Sequence, residues 1–219
     1  MTTTAPSAEL LAQCAELLKL GTATVHEAQG QKGAVDSGLK PIDASMRLAG
    51  PALTVRCRPG DNLALHHALT KVQPGQVIVC DAEGFVEAGP WGDIMSMAAR
   101  LRGCAGLVID GSVRDAQTIT DMGFPVFSRG VCIKGTNKYQ PGKVGEPIVL
   151  GGVCVRTGDI VVGDRDGLVV VLAEEVEMAL QASREREAKE ELTREKLRAG
   201  KTTVELIGLD KLLASYGMT

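Results

Sequence analysis

The sequence predicts an α/β fold: a parallel or mixed sheet with crossover helices. Three observations carry this. Short Val/Ile/Leu-rich runs at residues 76–80, 106–110 and 125–127 alternate with helix-like segments at 93–102 and 115–122. That strand–helix–strand–helix–strand order is what parallel pairing requires. Each of the two helical segments is closed by a glycine, Gly103 and Gly123. After Lys134 the texture changes to short Val-rich runs broken by Gly and Asp, the signature of antiparallel strands with tight turns.

The elements follow in order. Residues 7–19 carry Leu10, Leu11, Cys14, Leu17 and Leu18 on one helical face, with Ser7 to cap the start and Gly21 to end it. A second short helix opens at Thr22 and runs to about residue 30. Residues 32–45 are punctuated by Gly and Pro and read as loop. Residues 52–57 form a strand stopped by Pro59-Gly60, residues 62–71 a helix, and Pro74-Gly75 turns the chain into the strand at 76–80. The helix at 93–102 is capped by Gly92-Asp93. Within 148–171, Asp166-Gly167 marks a hairpin. Residues 173–198 are one long charged helix ended by Gly200, with few core anchors between Glu185 and Glu191. Such a helix reaches over a neighbour, so 173–199 is a candidate interface arm. There is no internal repeat or linker, and one domain over 1–219 is the simplest account.

Composition narrows the function classes. The chain has 219 residues, 44% hydrophobic, 23% charged and only 3% aromatic, so Val, Leu, Ile and Ala must fill the core. A formal charge of -3 offers no general attraction for nucleic acid or an acidic membrane. No apolar run approaches a membrane span. The first twenty residues lack the basic start of a signal peptide, and Glu9 and Glu16 interrupt them. The six cysteines (Cys14, Cys57, Cys80, Cys104, Cys132 and Cys154) form no C-x-x-C pair and mostly sit in apolar runs. They read as reduced core residues of a cytoplasmic protein, not as zinc ligands.

The chemistry concentrates in W-G-D-I-M at 91–95 and G-S-V-R-D at 111–115. Asp93 reads as a helix N-cap, and equally as a carboxylate beside free N–H groups of Ile94 and Met95 that suit an anion. Arg114-Asp115 follows the strand 107–110 through the turn 111–113, at the edge where ligands of α/β sheets gather. The 20 residues between Asp93 and Arg114 are one helix, one strand and two turns, which returns the chain to the edge it left. Taken alone, a surface Arg beside a helix-starting Asp remains the plainer account.

The order of motifs resembles the RraA-like family of divalent-metal-dependent pyruvate aldolases. It is carried by A-T-V-H-E-A-Q-G at 23–30, P-G-D-N at 59–62, G-D-I-M and R-D at the site, M-G-F-P-V-F-S-R at 122–129, I-K-G-T at 133–136 and G-D-I-V-V-G-D-R-D-G at 158–167. The resemblance implies a swivelling β/β/α fold, an α-β-β-α sandwich with a long C-terminal helix, assembled as homotrimers or homohexamers with the site at a subunit interface. It implies cleavage of 4-hydroxy-4-methyl-2-oxoglutarate or 4-carboxy-4-hydroxy-2-oxoadipate to pyruvate and a second 2-oxo acid, with oxaloacetate decarboxylation on the side. Asp115 would ligate Mg2+ or Mn2+, Arg114 would bind substrate and offset developing charge, and Asp93 would hold a proton-carrying water. Ile94 and Met95 would bind the pyruvate carboxylate through their N–H groups. Glu190, or Glu191 beside it, would complete the site from another subunit. Thr118 stands where many relatives carry an acid, which bears on substrate choice.

Other candidates are weaker. His66 and His67 are adjacent on a helix and face different ways, one packed and one exposed. His26 has no visible partner. Lys134 is a candidate Schiff-base lysine with nothing nearby to depress its pKa. Gly158-Asp159 and Gly163-Asp164 read as turns. A non-catalytic relative that binds an RNA-degrading endonuclease is the rival reading. A methyltransferase reading lacks a glycine-rich nucleotide loop.

Overall fold

The computed structural model describes residues 5–218. Helix α1 (Ala8–Leu20) begins where Ser7 Oγ accepts from the Leu10 N–H, and it ends at Gly21 with φ 88°. There the chain turns directly into α2 (Thr22–Ala28). Both follow the expected bounds closely. The expected loop at 32–45 contains a short strand, β1 (Lys40–Pro41), whose residues pair with Ser128 and Phe127. A two-residue strand has no periodicity to read.

Strand β2 (Leu48–Arg56) starts four residues earlier than expected, because Leu48 to Pro51 pair with a later antiparallel strand, beyond reach of local pattern. Then come α3 (Leu63–Leu69), β3 (Val77–Phe85), α4 (Asp93–Leu101), β4 (Gly106–Val113), α5 (Ala116–Met122) and β5 (Val126–Val131). Strand β4 continues through Gly111-Ser112-Val113, so the expected turn there is strand. The pairing slips past it, with Ile109 opposite Ser128 and Ser112 opposite Gly130. A comparable irregularity in β3 places Glu83 and Gly84 at positive φ.

The second half supplies β6 (Lys143–Val144), the hairpin β7 (Ile148–Leu150) and β8 (Val153–Val155), and the hairpin β9 (Ile160–Gly163) and β10 (Leu168–Val171). The β9–β10 turn spans 164–167, as Asp166-Gly167 predicts. A single 3-10 turn (Ala173–Glu175) leads into α6 (Val176–Arg198), and α7 (Thr203–Ile207) and α8 (Asp210–Ser215) follow.

The main sheet runs β1-β5-β4-β3-β2-β9-β10, with β6 also on β2. β2, β3, β4 and β5 are parallel and the rest antiparallel, so this is the mixed sheet the sequence predicts. Both faces are covered, which is why the central strands read as unbroken apolar runs. Ile78, Cys80, Leu107 and Ile109 face α3, α4 and α5 in one core that also holds Trp91 and Phe124. Val77, Val79 and Val108 face the opposite way onto Val35, Leu39, Ile148 and Leu150. A third core packs α1, α2 and the start of α6 on β9 and β10. The scarce aromatics are well used: Trp91 and Phe124 stack with ring centroids 6.3 Å apart.

The six cysteines are free. Cys14, Cys57, Cys80 and Cys104 are core residues, but Cys132 is half-buried and Cys154 exposed. Among the described residues no helix is long and apolar enough to cross a membrane.

Candidate active site

The parallel register of β3 and β4 (Asp81 opposite Asp110) aligns their carboxyl ends. The residues after β3 lead into α4, and Arg114-Asp115 follow β4, so both arrive at one edge. The strand–helix–strand spacing thus brings Asp93 and Asp115 together. The Asp93 N–H lies 3.4 Å from Asp115 Oδ2, and Arg114 Nε lies 3.5 Å from the same oxygen. The Arg114 N–H donates to the Trp91 carbonyl at 2.9 Å, which ties the start of α5 to the start of α4.

Two backbone choices make this closeness possible. A Cβ on Gly92 would stand 2.4 Å from Asp115 Oδ2, a distance no side chain tolerates. Asp115 itself has φ 58° and ψ 33°, left-handed values for a non-glycine residue. That conformation costs an ordinary L-residue about 1–2 kcal/mol, and Asp is among the residues that adopt it. Asp115 stands at the N-cap of α5 yet makes no side-chain cap bond there. Its carboxylate is turned to α4 instead.

Asp93 differs from its expected role. Gly92 is the N-cap of α4, and Asp93 is the first helical residue, with no cap bond from its side chain. Its carboxylate still sits in the first turn, where the helix dipole favours negative charge. The N–H groups of Ile94 and Met95 precede the first intrahelical bond, from Ser96 N to Gly92 O at 3.0 Å, so they are the donors a helix start offers to an anion. The Ile94 side chain is exposed and Met95 is buried, so α4 is anchored by one neighbour of this pair and open at the other. Arg114, Asp115 and Thr118 are exposed, and Asp93 is half-buried.

Glu190 is not brought to this edge within one chain. α6 packs on α1 and α2, and Glu190 pairs there with Arg186 at 2.9 Å and Arg194 at 3.2 Å. Glu191 pairs with Arg194 and Arg198.

The weaker candidates separate cleanly. Lys134 is exposed and ion-paired with Glu87. That partner raises its pKa, the opposite of what a Schiff-base lysine needs. His66 is half-buried, its pKa lowered by desolvation and by Lys138, and His67 is exposed. His26, which looked partnerless, places Nδ1 2.9 Å from the Lys32 carbonyl. Asp159 and Asp164 accept from backbone N–H groups of Arg156, Ala173, Thr22 and Asp166, which is turn and cap chemistry. Among the described residues, no group of three or more His, Cys, Asp or Glu is placed to hold a metal ion.

Sequence reasoning missed the supports of the site. Trp91 Nε1 donates to Ser96 Oγ at 2.7 Å, and Ser96 Oγ donates to the Gly92 carbonyl at 3.0 Å. Both lie inside the motif, but nothing in a linear pattern says they bond each other.

This geometry can be set beside known proteins. The chain is 39% identical over 155 residues to a protein of Halalkalibacterium halodurans named "Putative 4-hydroxy-4-methyl-2-oxoglutarate aldolase", covering 71% of this chain and 74% of that one. A solved structure of an uncharacterized protein from Pseudomonas syringae pv. tomato superposes with a TM-score of 0.80 at 31% identity, covering 91% and 92% of the two chains. Streptomyces coelicolor RraAS2, described as an unusual member of the RNase ES inhibitor RraA family, superposes with a TM-score of 0.77 at 29% identity over 88% and 98%. The family model described as "RraA-like: Aldolase/RraA" matches residues 22–170, the stretch that holds the mixed sheet and the 92–115 edge. The chain belongs to the RraA-like family.

Proposed function

We propose that this protein is a divalent-metal-dependent pyruvate aldolase. It cleaves 4-hydroxy-4-methyl-2-oxoglutarate or 4-carboxy-4-hydroxy-2-oxoadipate to pyruvate and a second 2-oxo acid, and decarboxylates oxaloacetate as a side reaction. The observation that carries this reading is the meeting of Asp93, Arg114 and Asp115 at the start of α4. The named aldolase relative supports the reaction class.

The donor set fits a hard cation. Asp115 offers one exposed carboxylate that caps no helix. A single carboxylate suits Mg2+ or Mn2+, which keep several waters, and does not suit a closed zinc site. When bound, the cation supplies a Lewis acid at the 2-keto oxygen.

The remaining steps belong to the chain. The N–H groups of Ile94 and Met95 hold the 1-carboxylate at the helix start. Arg114 offsets the negative charge that moves onto the C2 oxygen as C3–C4 breaks. Asp93, with Glu190 of a neighbouring subunit in a trimer or hexamer, holds the water that takes the C4-hydroxyl proton and returns a proton to C3 of the pyruvate enolate. Oxaloacetate gives the same enolate on losing CO2. The C-terminal arm at 173–199, which is the 3-10 turn and α6, carries Glu190 across the interface.

The test is a pyruvate-coupled assay over a panel of 4-hydroxy-2-oxo acids and oxaloacetate. Exhaustive chelation should abolish pyruvate release, and Mg2+ or Mn2+ should restore it. Full activity without metal, with borohydride trapping at Lys134, would replace this reading with Schiff-base chemistry. Tight binding of an RNA-degrading endonuclease, with no lyase activity on any substrate of the panel, would replace it with the regulator reading.

A further inference from the structure

We propose that Asn62 is a positioning residue for the anion seat at the start of α4, an inference that rests on the aldolase reading above. Asn62 immediately precedes α3, where an asparagine ordinarily caps its own helix. It makes no cap bond. The N–H of Leu63, the first helical residue, goes to Asp61 Oδ1 at 2.9 Å. The Asn62 side chain reaches away, and its Nδ2 donates to the Pro90 carbonyl at 2.8 Å. The same nitrogen lies 3.8 Å from Met95 Sδ, inside the first turn of α4.

The residue is 6% exposed, and its Oδ1 has no hydrogen-bond partner among the described residues. The orientation is forced, because turning the amide over would set an acceptor oxygen against the Pro90 carbonyl. A buried acceptor without a partner costs stability. An apolar side chain of the same size would serve packing better. What the amide alone supplies is a donor to Pro90.

Pro90 matters for its neighbours. Gly89 N donates to the Lys134 carbonyl at 2.9 Å, and the Trp91 carbonyl accepts from Arg114 N at 2.9 Å. The Gly92 carbonyl accepts from Ser96 N and Oγ, both at 3.0 Å. With Asn62, the backbone of every residue from 89 to 92 is tied. The four ties come from the residues after β5, the start of α3, the β4–α5 junction and α4 itself. Gly89 leaves no slack, since a Cβ there would lie 2.4 Å from the Cys132 carbonyl oxygen and 2.9 Å from Arg114 Cβ. Freeing Pro90 loosens the residue pair that launches α4, and with it the aim of the Ile94 and Met95 N–H groups.

The seat grips the substrate carboxylate before and during bond cleavage. Its loss therefore falls on KM more than on kcat. Asn62→Leu keeps the volume and removes both the donor and the unpartnered acceptor. Asn62→Asp keeps the shape and replaces the donor with an acceptor. In both variants KM for the cleaved oxo acid, and the inhibition constant of oxalate, should rise about 10- to 100-fold. The kcat should change less than about threefold, because bound substrate still meets Arg114 and Asp115. The Leu variant should melt within about 4 °C of wild type or above it. A merely structural role would instead lower Tm and the active fraction, cutting kcat at unchanged KM.

Wild type and Arg114→Ala are run alongside, with amide hydrogen exchange at residues 91–96. If wild type releases pyruvate and Arg114→Ala does not, the aldolase reading stands. Wild-type KM in both Asn62 variants then overturns this inference alone. If wild type releases none, the aldolase reading fails and exchange decides the tie: faster exchange in the variants supports it, and unchanged protection overturns it. Should the Leu variant fail to fold, the Asp variant carries the same readouts.

Discussion

The backbone N–H of Asp93 lies 3.4 Å from the Asp115 carboxylate, although 22 positions separate them in the chain. One helix start therefore faces the carboxylate that opens the next helix, and Gly92 is the spacer between them. A methyl group at Gly92 would stand 2.4 Å from Asp115 Oδ2 and 3.2 Å from Arg114 Nε. The φ of Gly92, −145°, is one any residue adopts, so the substitution fails through contact and not through backbone strain. Gly92→Ala should keep the fold and push the Asp115 side chain aside. The expected loss in kcat/KM is about 100-fold, the usual cost of a misplacement near 1 Å. Steady-state kinetics with a circular dichroism melt checks it, and a Gly92→Ala enzyme at wild-type kcat/KM would show that the contact is not part of the site.

Asp115 pits function against backbone ease. Its left-handed φ of 58° suits glycine better than any L-residue. Asp115→Gly should therefore be more stable than Asp115→Ala by about 1 kcal/mol, while both lose turnover. Little stability is lost with the ion pair to Arg114, because both side chains are about two-fifths exposed and such pairs are worth roughly 0–1 kcal/mol. Arg114→Ala should likewise leave the melt near wild type and cut kcat by about 100- to 1,000-fold, as loss of one charge-stabilising donor does elsewhere. Urea unfolding measured beside pyruvate release decides this. Equal stability of the Gly and Ala variants would remove the strain argument, and undiminished turnover in all three would remove the site.

Much of this was legible in the sequence because local chemistry and fold agree. Continuous apolar runs marked strands buried on both faces, and Gly103 and Gly123 marked the helix ends. The 20-residue gap before Arg114 announced a return to one edge. What was not legible depends on partners distant in sequence. Leu48–Pro51 is strand because β9 pairs with it, and Lys40–Pro41 because β5 does. Gly111-Ser112-Val113 carries a glycine that reads as a turn, but β5 extends the pairing past it. Of the Gly92-Asp93 pair that marks the start of α4, Gly92 is the cap and Asp93 the first helical residue. Asn62 lies in the P-G-D-N motif at 59–62, but its bond to Pro90 crosses 28 positions.

Asp61 should govern part of the acid limb of stability. Burial pushes its carboxyl up, but the N–H groups of Leu63, Tyr139 and Gln140 outweigh burial and hold its pKa below the usual value. A carboxylate whose folded pKa is depressed stabilises the fold above its unfolded pKa. That contribution fades as pH falls through the folded value. Wild type should thus lose stability from about pH 4 downward. Asp61→Asn should be less stable at neutral pH and show a shallower decline below pH ~4. Melting temperatures from neutral to strongly acidic pH test the slope. A mutant curve parallel to wild type would assign the acid limb to other carboxylates.

Glu190 provides the sharpest test of a shared site. Within one chain it is held between Arg186 and Arg194 on α6, while the 92–115 edge lies on elements that pack elsewhere. If it acts across an interface, a Glu190→Gln subunit retains a good Asp115 and an Asp115→Ala subunit retains a good Glu190. Each homo-oligomer should be nearly inactive. Unfolding the two together and refolding them should create junctions that hold both wild-type groups. Random mixing in a closed ring with head-to-tail contacts places the intact pair at about one junction in four, so recovery should approach a quarter of wild-type activity. Glu191→Gln replaces Glu190→Gln in a parallel mixture and settles which of the two acids acts. No recovery in either mixture, with refolding verified by size and melt, would place the last acid within the same chain.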